Sequence, residues 1–120
     1  MINIEQLKSC SLCPRLCESR SQVVPSHGPS DAKIMIIGQA PGYEEDRIGK
    51  GFQGKSGTAL RKLLASAGIN MDDCYVSNVV KCFPERNRKP LKSEIKNCST
   101  TWLFNEIATL RPKMIIAVGD

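Results

Sequence analysis

Lys33-Ile34-Met35-Ile36-Ile37-Gly38 is an unbroken apolar run closed by glycine, and Gln39-Ala40-Pro41-Gly42 follows it directly. A strand that is apolar on both faces belongs inside a parallel sheet, because a strand with one wet face would alternate. Working outward, residues 39–55 read as a long glycine-rich loop. Residues 56–68 then read as a helix, with Leu60, Leu63, Leu64 and Ala67 at helical spacing and Gly68 as its stop. Residues 73–80 form a second strand, and residues 81–92 a basic loop broken by Pro84 and Pro90. Ser93 is placed to cap a helix that runs to about Leu110, and residues 114–118 give a third buried strand. Upstream, residues 2–9 suit a short helix and residues 21–32 an irregular segment with turns. This alternation predicts an α/β fold of three layers, a central parallel sheet with helices on both faces. Ligands of such sheets bind at the carboxyl ends of the strands. Two features fall there, the loop after Gly38 and Asn78 near the end of the second strand.

A length of 120 residues suits one domain spanning residues 1–120. At 41% hydrophobic and 24% charged, the composition is that of an ordinary globular protein. No apolar run approaches the ~20 residues of a membrane span, and the first residues lack the basic and apolar regions of a signal peptide. A cytoplasmic location without membrane association is therefore expected. Seventeen Lys and Arg against twelve Asp and Glu leave a formal charge of +5, which suits an anionic partner, nucleic acid first, and equally a merely basic soluble surface.

Six cysteines in a cytosolic chain point away from disulfides, toward metal, a cluster or plain core. Cys10 and Cys13 form a C-x-x-C pair, and Cys82 and Cys98 flank the basic loop. Four thiolates hold either a 4Fe–4S cluster or zinc, and a zinc ribbon would show a second tight pair where this chain has a widely split one. Cys74 reads as core, and Cys17 competes with Cys13 as a ligand.

Gly49-Lys50-Gly51-Phe52-Gln53-Gly54-Lys55-Ser56 matches the phosphate-binding pattern G-x-x-x-x-G-K-[ST]. A phosphate loop leaves its strand directly, whereas residues 39–48 intervene here, so the nucleotide reading is the weaker one. The alternative takes residues 38–42 as the working loop, where glycines let backbone approach a flat ligand and amides meet a carbonyl oxygen. Phe52, alone in a polar loop, then either stacks on a base or plugs the core.

Residues 38–46 together with Gly51-Phe52-Gln53-Gly54-Lys55-Ser56-Gly57 resemble the first signature of the family 4 uracil-DNA glycosylases. Ser77-Asn78-Val79-Val80-Lys81-Cys82 resembles the second, and Asn87-Arg88-Lys89-Pro90 with Glu94 and Cys98 continues the likeness. The resemblance runs from Cys10 to Gly119, and the same domain is described as phage DNA polymerase-related. It implies a four-stranded parallel sheet and hydrolysis of the N-glycosidic bond of deoxyuridine in DNA, for base excision repair. It also implies a 4Fe–4S cluster on Cys10, Cys13, Cys82 and Cys98. Phe52 corresponds to the residue that stacks on uracil and Asn78 to the one that reads its edge. Residues Gly38, Gln39, Ala40, Pro41 and Gly42 correspond to the loop against base and sugar, and Glu45 to an acidic position near the pocket. Gln39 stands where the family has Glu and cannot act as a general base. The interval from Cys13 to Arg20 is one residue longer than is common. The family continues to a His-Pro-Ser-like motif that His27 does not match, so a C-terminal part is expected beyond Asp120.

On this reading the nucleotide is flipped from the duplex, and the buried amide of Asn78 rejects bases that leave it unpaired. Arg86, Arg88, Lys89 and Lys92 face phosphates, the cluster ties the N-terminus to their loop, and the protein is a monomer that binds uracil-containing DNA. The rival from another class is a non-catalytic nucleic-acid-binding module built on a cluster or zinc.

Overall fold

The computed structural model describes residues 4–84, 86 and 88–118. Its centre is β1 (Ile34–Gly38), flanked by β2 (Tyr75–Asn78) and β3 (Met114–Ala117) in the order β2-β1-β3, all parallel. Successive side chains on a strand point to opposite faces, and the core divides accordingly. Ile36 faces Leu60 and Leu64 of α4 (Gly54–Ser66), along with Met71 and Val76. Met35 faces the other way, toward Tyr75, Leu103 and Leu110. Leu110 closes α6 (Phe104–Leu110), so the expected three layers are present. Three strands are found among the described residues, where the resemblance implied four.

A third apolar cluster lies beyond the strand ends. It joins α1 (Ile4–Lys8) and α2 (Pro14–Ser19) to Val80 and Trp102 through Leu7, Leu16 and Val23. The free edge of β2 is covered by the segment before β1, where His27 exchanges two backbone hydrogen bonds with Val76 at 2.7 and 3.0 Å. No helix among the described residues is long and apolar enough to cross a membrane.

Four local expectations need correction. The loop of residues 39–55 contains α3 (Tyr43–Ile48), whose first turn carries Glu44, Glu45 and Asp46 against the helix dipole. Residues 71–73 form a 3-10 turn, so β2 starts at Tyr75 rather than Asp73. Ser93 does not cap the third long helix. The helix α5 (Lys92–Cys98) begins one residue earlier, where the Leu91 amide donates to Glu94 Oε1 at 2.8 Å. Ser99–Leu103 then winds as a π-helix before α6 resumes. Finally, β3 is not buried on both faces, since Met114 and Ile115 are 53% and 47% exposed. An apolar run shows that a strand prefers burial and does not show which of its faces is covered.

Ile36 is fully buried on the central strand, and Ile115 lies half-open on β3. Ile36→Ala is expected to lower the unfolding free energy by roughly 2–5 kcal/mol, the transfer term plus the cavity. Ile115→Ala should change it by less than about 0.5–1 kcal/mol. Urea midpoints at unchanged slope check both, and equal effects would refute the placement of the core.

Candidate active site and cysteine chamber

β1 and β2 end side by side, with Gly38 the register partner of Asn78. A Cβ built on Gly38 would lie 2.5 Å from Asn78 Oδ1 and 2.7 Å from Phe52 Cζ. The bare Gly38 backbone, the Phe52 ring and the Asn78 amide thus crowd one point. Phe52 reaches it in the left-handed region (φ 53), which an aromatic residue adopts only under constraint. Gly57 of α4 accommodates this conformation, since any Cβ there would run into the Phe52 carbonyl. Phe52 is partly buried against the core of α4, so it packs on the core and also faces the crevice. Asn78 is 6% exposed, and Gly51 beside it leaves room between Asn78 and His27.

Two carboxylates hold the loops. Glu45 accepts from the Gly42 amide through Oε1 at 2.8 Å and from the Gln53 amide through Oε2 at 2.9 Å. It joins the loop after β1 to the loop that carries Phe52, and both its oxygens are spoken for. Asp46 accepts from the Ser21 amide at 2.7 Å and so ties α3 to the segment after α2. Gln39 is exposed, Ala40 is half-buried and Pro41 is buried.

Beneath Asn78 lies a polar network that sequence reasoning missed. Lys81 is 1% and Glu106 0% exposed, with Nζ and Oε1 at 2.8 Å. Lys81 Nζ also donates to the Asn78 carbonyl at 2.8 Å and to Ser77 Oγ at 3.0 Å. Ser77 Oγ and the Tyr75 hydroxyl donate to the two oxygens of Glu106 at 3.2 and 2.6 Å. Burial, with the Glu106 bond, raises the Tyr75 pKa and keeps its hydroxyl a donor. One signal was legible. Glu106 falls between Leu103 and Leu110 on the buried stripe of its helix, where a charge requires a partner. Lys81, read as the start of a basic loop, is that partner.

Cys10, Cys13, Cys82 and Cys98 line one enclosed chamber walled by Leu7, Leu16 and Trp102. Cys17 is not among its lining residues, and its sulfur donates to the Cys10 carbonyl at 3.7 Å. Burial raises the Cys13 and Cys82 thiols and pushes Cys98 up to about 12. Arg20 donates to Cys82 Sγ at 3.1 Å and to the Cys10 carbonyl at 2.6 Å. Among the described residues no group of three His, Cys, Asp or Glu side chains converges on a single-ion position.

In the basic loop, Arg88 is reassigned. It forms a two-pronged pair with Glu94 at 2.8 and 2.9 Å, which holds that carboxyl below its ordinary range and anchors the loop to α5. Its guanidinium faces the protein rather than phosphates. Arg86, Lys89 and Lys92 are exposed. Asn87 lies outside the described residues. The nucleotide pattern is broken by α3, which stands between β1 and Gly49.

Residues 25–120 match the family described as the uracil DNA glycosylase superfamily. The chain belongs to the uracil-DNA glycosylase superfamily. It is similar to the type-4 uracil-DNA glycosylase of Thermotoga maritima, 40% identical over 115 residues, covering 96% of this chain and 59% of that protein. It is similar too to the type-4 enzyme of Pyrobaculum aerophilum, 39% identical, covering 96% of this chain and 58% of the relative. With that of Saccharolobus solfataricus the identity is 40%, covering 96% and 53%. The chain therefore spans between half and three-fifths of these curated relatives.

Two outcomes are expected of this superfamily member. Gly38→Ala should displace Phe52 or Asn78, which tryptophan-independent near-UV dichroism and crystallography would read, and an unmoved crevice would refute the close approach. The second concerns His27, whose pKa burial lowers to about 4, helped by Lys50 and Arg61. The unfolded chain takes up this proton near pH 6.5 and the folded chain only near 4, so stability falls as pH drops through that window. The contribution is roughly 1 kcal/mol per pH unit, and His27→Gln should flatten the slope of stability against pH.

Proposed function

We propose that this chain recognises uracil in DNA at the Gly38–Phe52–Asn78 crevice and takes part in hydrolysing its N-glycosidic bond for base excision repair. The observation that carries the reading is the convergence of an aromatic ring carried on a strained backbone, a buried amide and a bare backbone at the paired ends of two parallel strands. A flipped uracil stacks on Phe52. Asn78 donates to a ring carbonyl through Nδ2 and accepts the ring N–H through Oδ1, a pattern that cytosine does not match. Charge that develops on the departing base is met by backbone amides. Pro41 has no N–H, and the Gly42 amide is held by Glu45, so this task narrows to the amides of Gln39 and Ala40.

Glu45 is a positioning residue on this reading. Its two bonds fix the Phe52 loop against the loop after β1. Gln39 is exposed and carries no base, so water activation is not assigned to it.

The donor set suits a 4Fe–4S cluster or zinc: four cysteines line one enclosed apolar chamber, and the wide split between Cys82 and Cys98 favours the cluster. Cys10, Cys13, Cys82 and Cys98 would hold it, with Arg20 donating to Cys82. Bound there, the cluster supplies a covalent tie between the N-terminal helices, the basic loop and α5. Arg86, Lys89 and Lys92 then meet phosphates, with the protein acting as a monomer in the cytoplasm.

A second reading, a nucleic-acid-binding module without catalysis, is favoured by the absence of an acid at Gln39 and the full occupation of Glu45. Uracil release from a single-uracil oligonucleotide separates the two. Catalysis requires release that Phe52→Ala and Asn78→Asp each lower by about tenfold or more. Uracil-selective binding without release favours the module. Binding indifferent to uracil and to both substitutions sinks the crevice. For the chamber, anaerobically purified protein should be brown, with about four irons per chain that Cys98→Ser removes. Cys17→Ser should leave them, and stoichiometric zinc would refute the cluster. Replacing Arg86 and Lys89 with Ala should flatten the slope of log affinity against log salt by about two.

A further inference from the structure

Asn78 is the last residue of β2, and past it the Val79 and Val80 amides still donate to the Gly38 and Gln39 carbonyls at 2.8 and 3.1 Å, so the donors of this stretch are held from β1 while the Asn78 carbonyl is held from elsewhere. Its carbonyl turns from the sheet to accept from Lys81 Nζ at 2.8 Å. That ammonium is wholly buried and has three donors, which meet the Asn78 carbonyl, Ser77 Oγ and Glu106 Oε1. The direction of each bond is thereby determined, since moving Asn78 would leave a buried donor unmet. Glu106 in turn is fixed by Tyr75 and Ser77, and Ser77 accepts from Ser26 Oγ at 2.8 Å. Ion pairs of this depth bring little net stability, because desolvation cancels most of the attraction. Their value lies in specifying one geometry. Lys81 also lines the cysteine chamber beside Cys82, so one side chain touches both the chamber and the residue over the crevice.

We infer that Lys81, oriented by Glu106, is the positioning residue for Asn78, and that this buried pair sets how sharply the site tells uracil from cytosine. The inference rests on Asn78 as the residue that reads the base. Lys81 touches no base itself. It holds the peptide of Asn78 from behind, so that the side-chain amide projects into the crevice at one angle. Displacement of the amide by an ångström is enough to cost one to two orders of magnitude in recognition.

The test uses the whole 120-residue chain. The double variant Lys81→Met with Glu106→Leu removes both charges together and leaves apolar side chains of similar volume, a change that buried pairs commonly tolerate. Two readouts are taken. One is the pair of side-chain amide NMR signals of Asn78, identified by their loss in Asn78→Asp. The other is the ratio of affinities for oligonucleotides with uracil or cytosine at one position. The expected result is a cooperatively folded protein with shifted or broadened Asn78 signals and a ratio reduced roughly tenfold to a hundredfold. A purely structural pair would lower the unfolding temperature and move neither readout, and that outcome overturns the inference. If the double variant does not fold, Ser77→Ala takes its place. It deletes the hydroxyl shared by Lys81 and Glu106 and is expected to move the Asn78 signals, whereas unmoved signals overturn the inference again. If Asn78→Asp leaves the affinity ratio unchanged, the base-reading role of Asn78 fails instead, and the NMR signals still decide whether Lys81 positions it.

Discussion

A parallel strand with a neighbour on each side must have its amides and carbonyls met from both, and β1 is such a strand. Parallel neighbours cannot be joined by tight turns, so each connection has to leave one end of the sheet and return to the other. Those returns are α3 with α4, and α5 with α6, and they cover the two faces that Ile36 and Met35 define. The same requirement gathers the carboxyl ends of the strands along one edge. The loop after Gly38, the loop after Asn78 and the N-terminal helices have no other common meeting place. The crevice and the cysteine chamber both follow from that single geometric demand.

At this edge the ladder stops and backbone groups lose their strand partners. The chain meets the shortfall with acidic side chains rather than more apolar ones. Glu45 takes the amides of Gly42 and Gln53, Asp46 that of Ser21, and Glu94 that of Leu91 while gripping Arg88. Glu106 does the same for side chains beneath β2. Glu45, Asp46 and Glu106 join segments apart in sequence, Glu94 fastens the loop just ahead of its own helix, and all four are buried. In a chain of formal charge +5, these carboxylates act as internal fastenings. Loops fastened in this way hold a ligand site still without a large core beneath them.

The strand-helix alternation was legible because apolar runs and helical spacing depend on neighbours in sequence. The convergence of Phe52 and Asn78 was legible too, since Asn78 ends one strand and Phe52 lies on the connection that leaves the neighbouring strand at the same edge. What escaped notice depends on contacts across the fold. Arg88 looks like one more cation in a basic loop, and only the position of Glu94 turns it inward. Glu45 looks like a free acid until two distant amides are seen to occupy it. Lys81 follows Val79 and Val80 without any mark of burial, and its partner lies a helix away. The helix α3 escaped because its few residues span hardly more than one and a half turns.

The π turn at Ser99–Leu103 separates two residues with different tasks. Cys98 looks into the chamber, and Glu106 looks under β2. In a regular α-helix each residue advances the azimuth by about 100°. The wider turn therefore sets the phase between the two. A π turn takes up about one residue more than an α turn, so losing one residue there would restore an ordinary helix with Cys98 and Glu106 in nearly the same relative phase, whereas losing one from α6 ahead of Glu106 would swing that carboxylate by about that angle, off Lys81. The turn is thus the place where this helix absorbs an extra residue without turning Glu106 away from its partner.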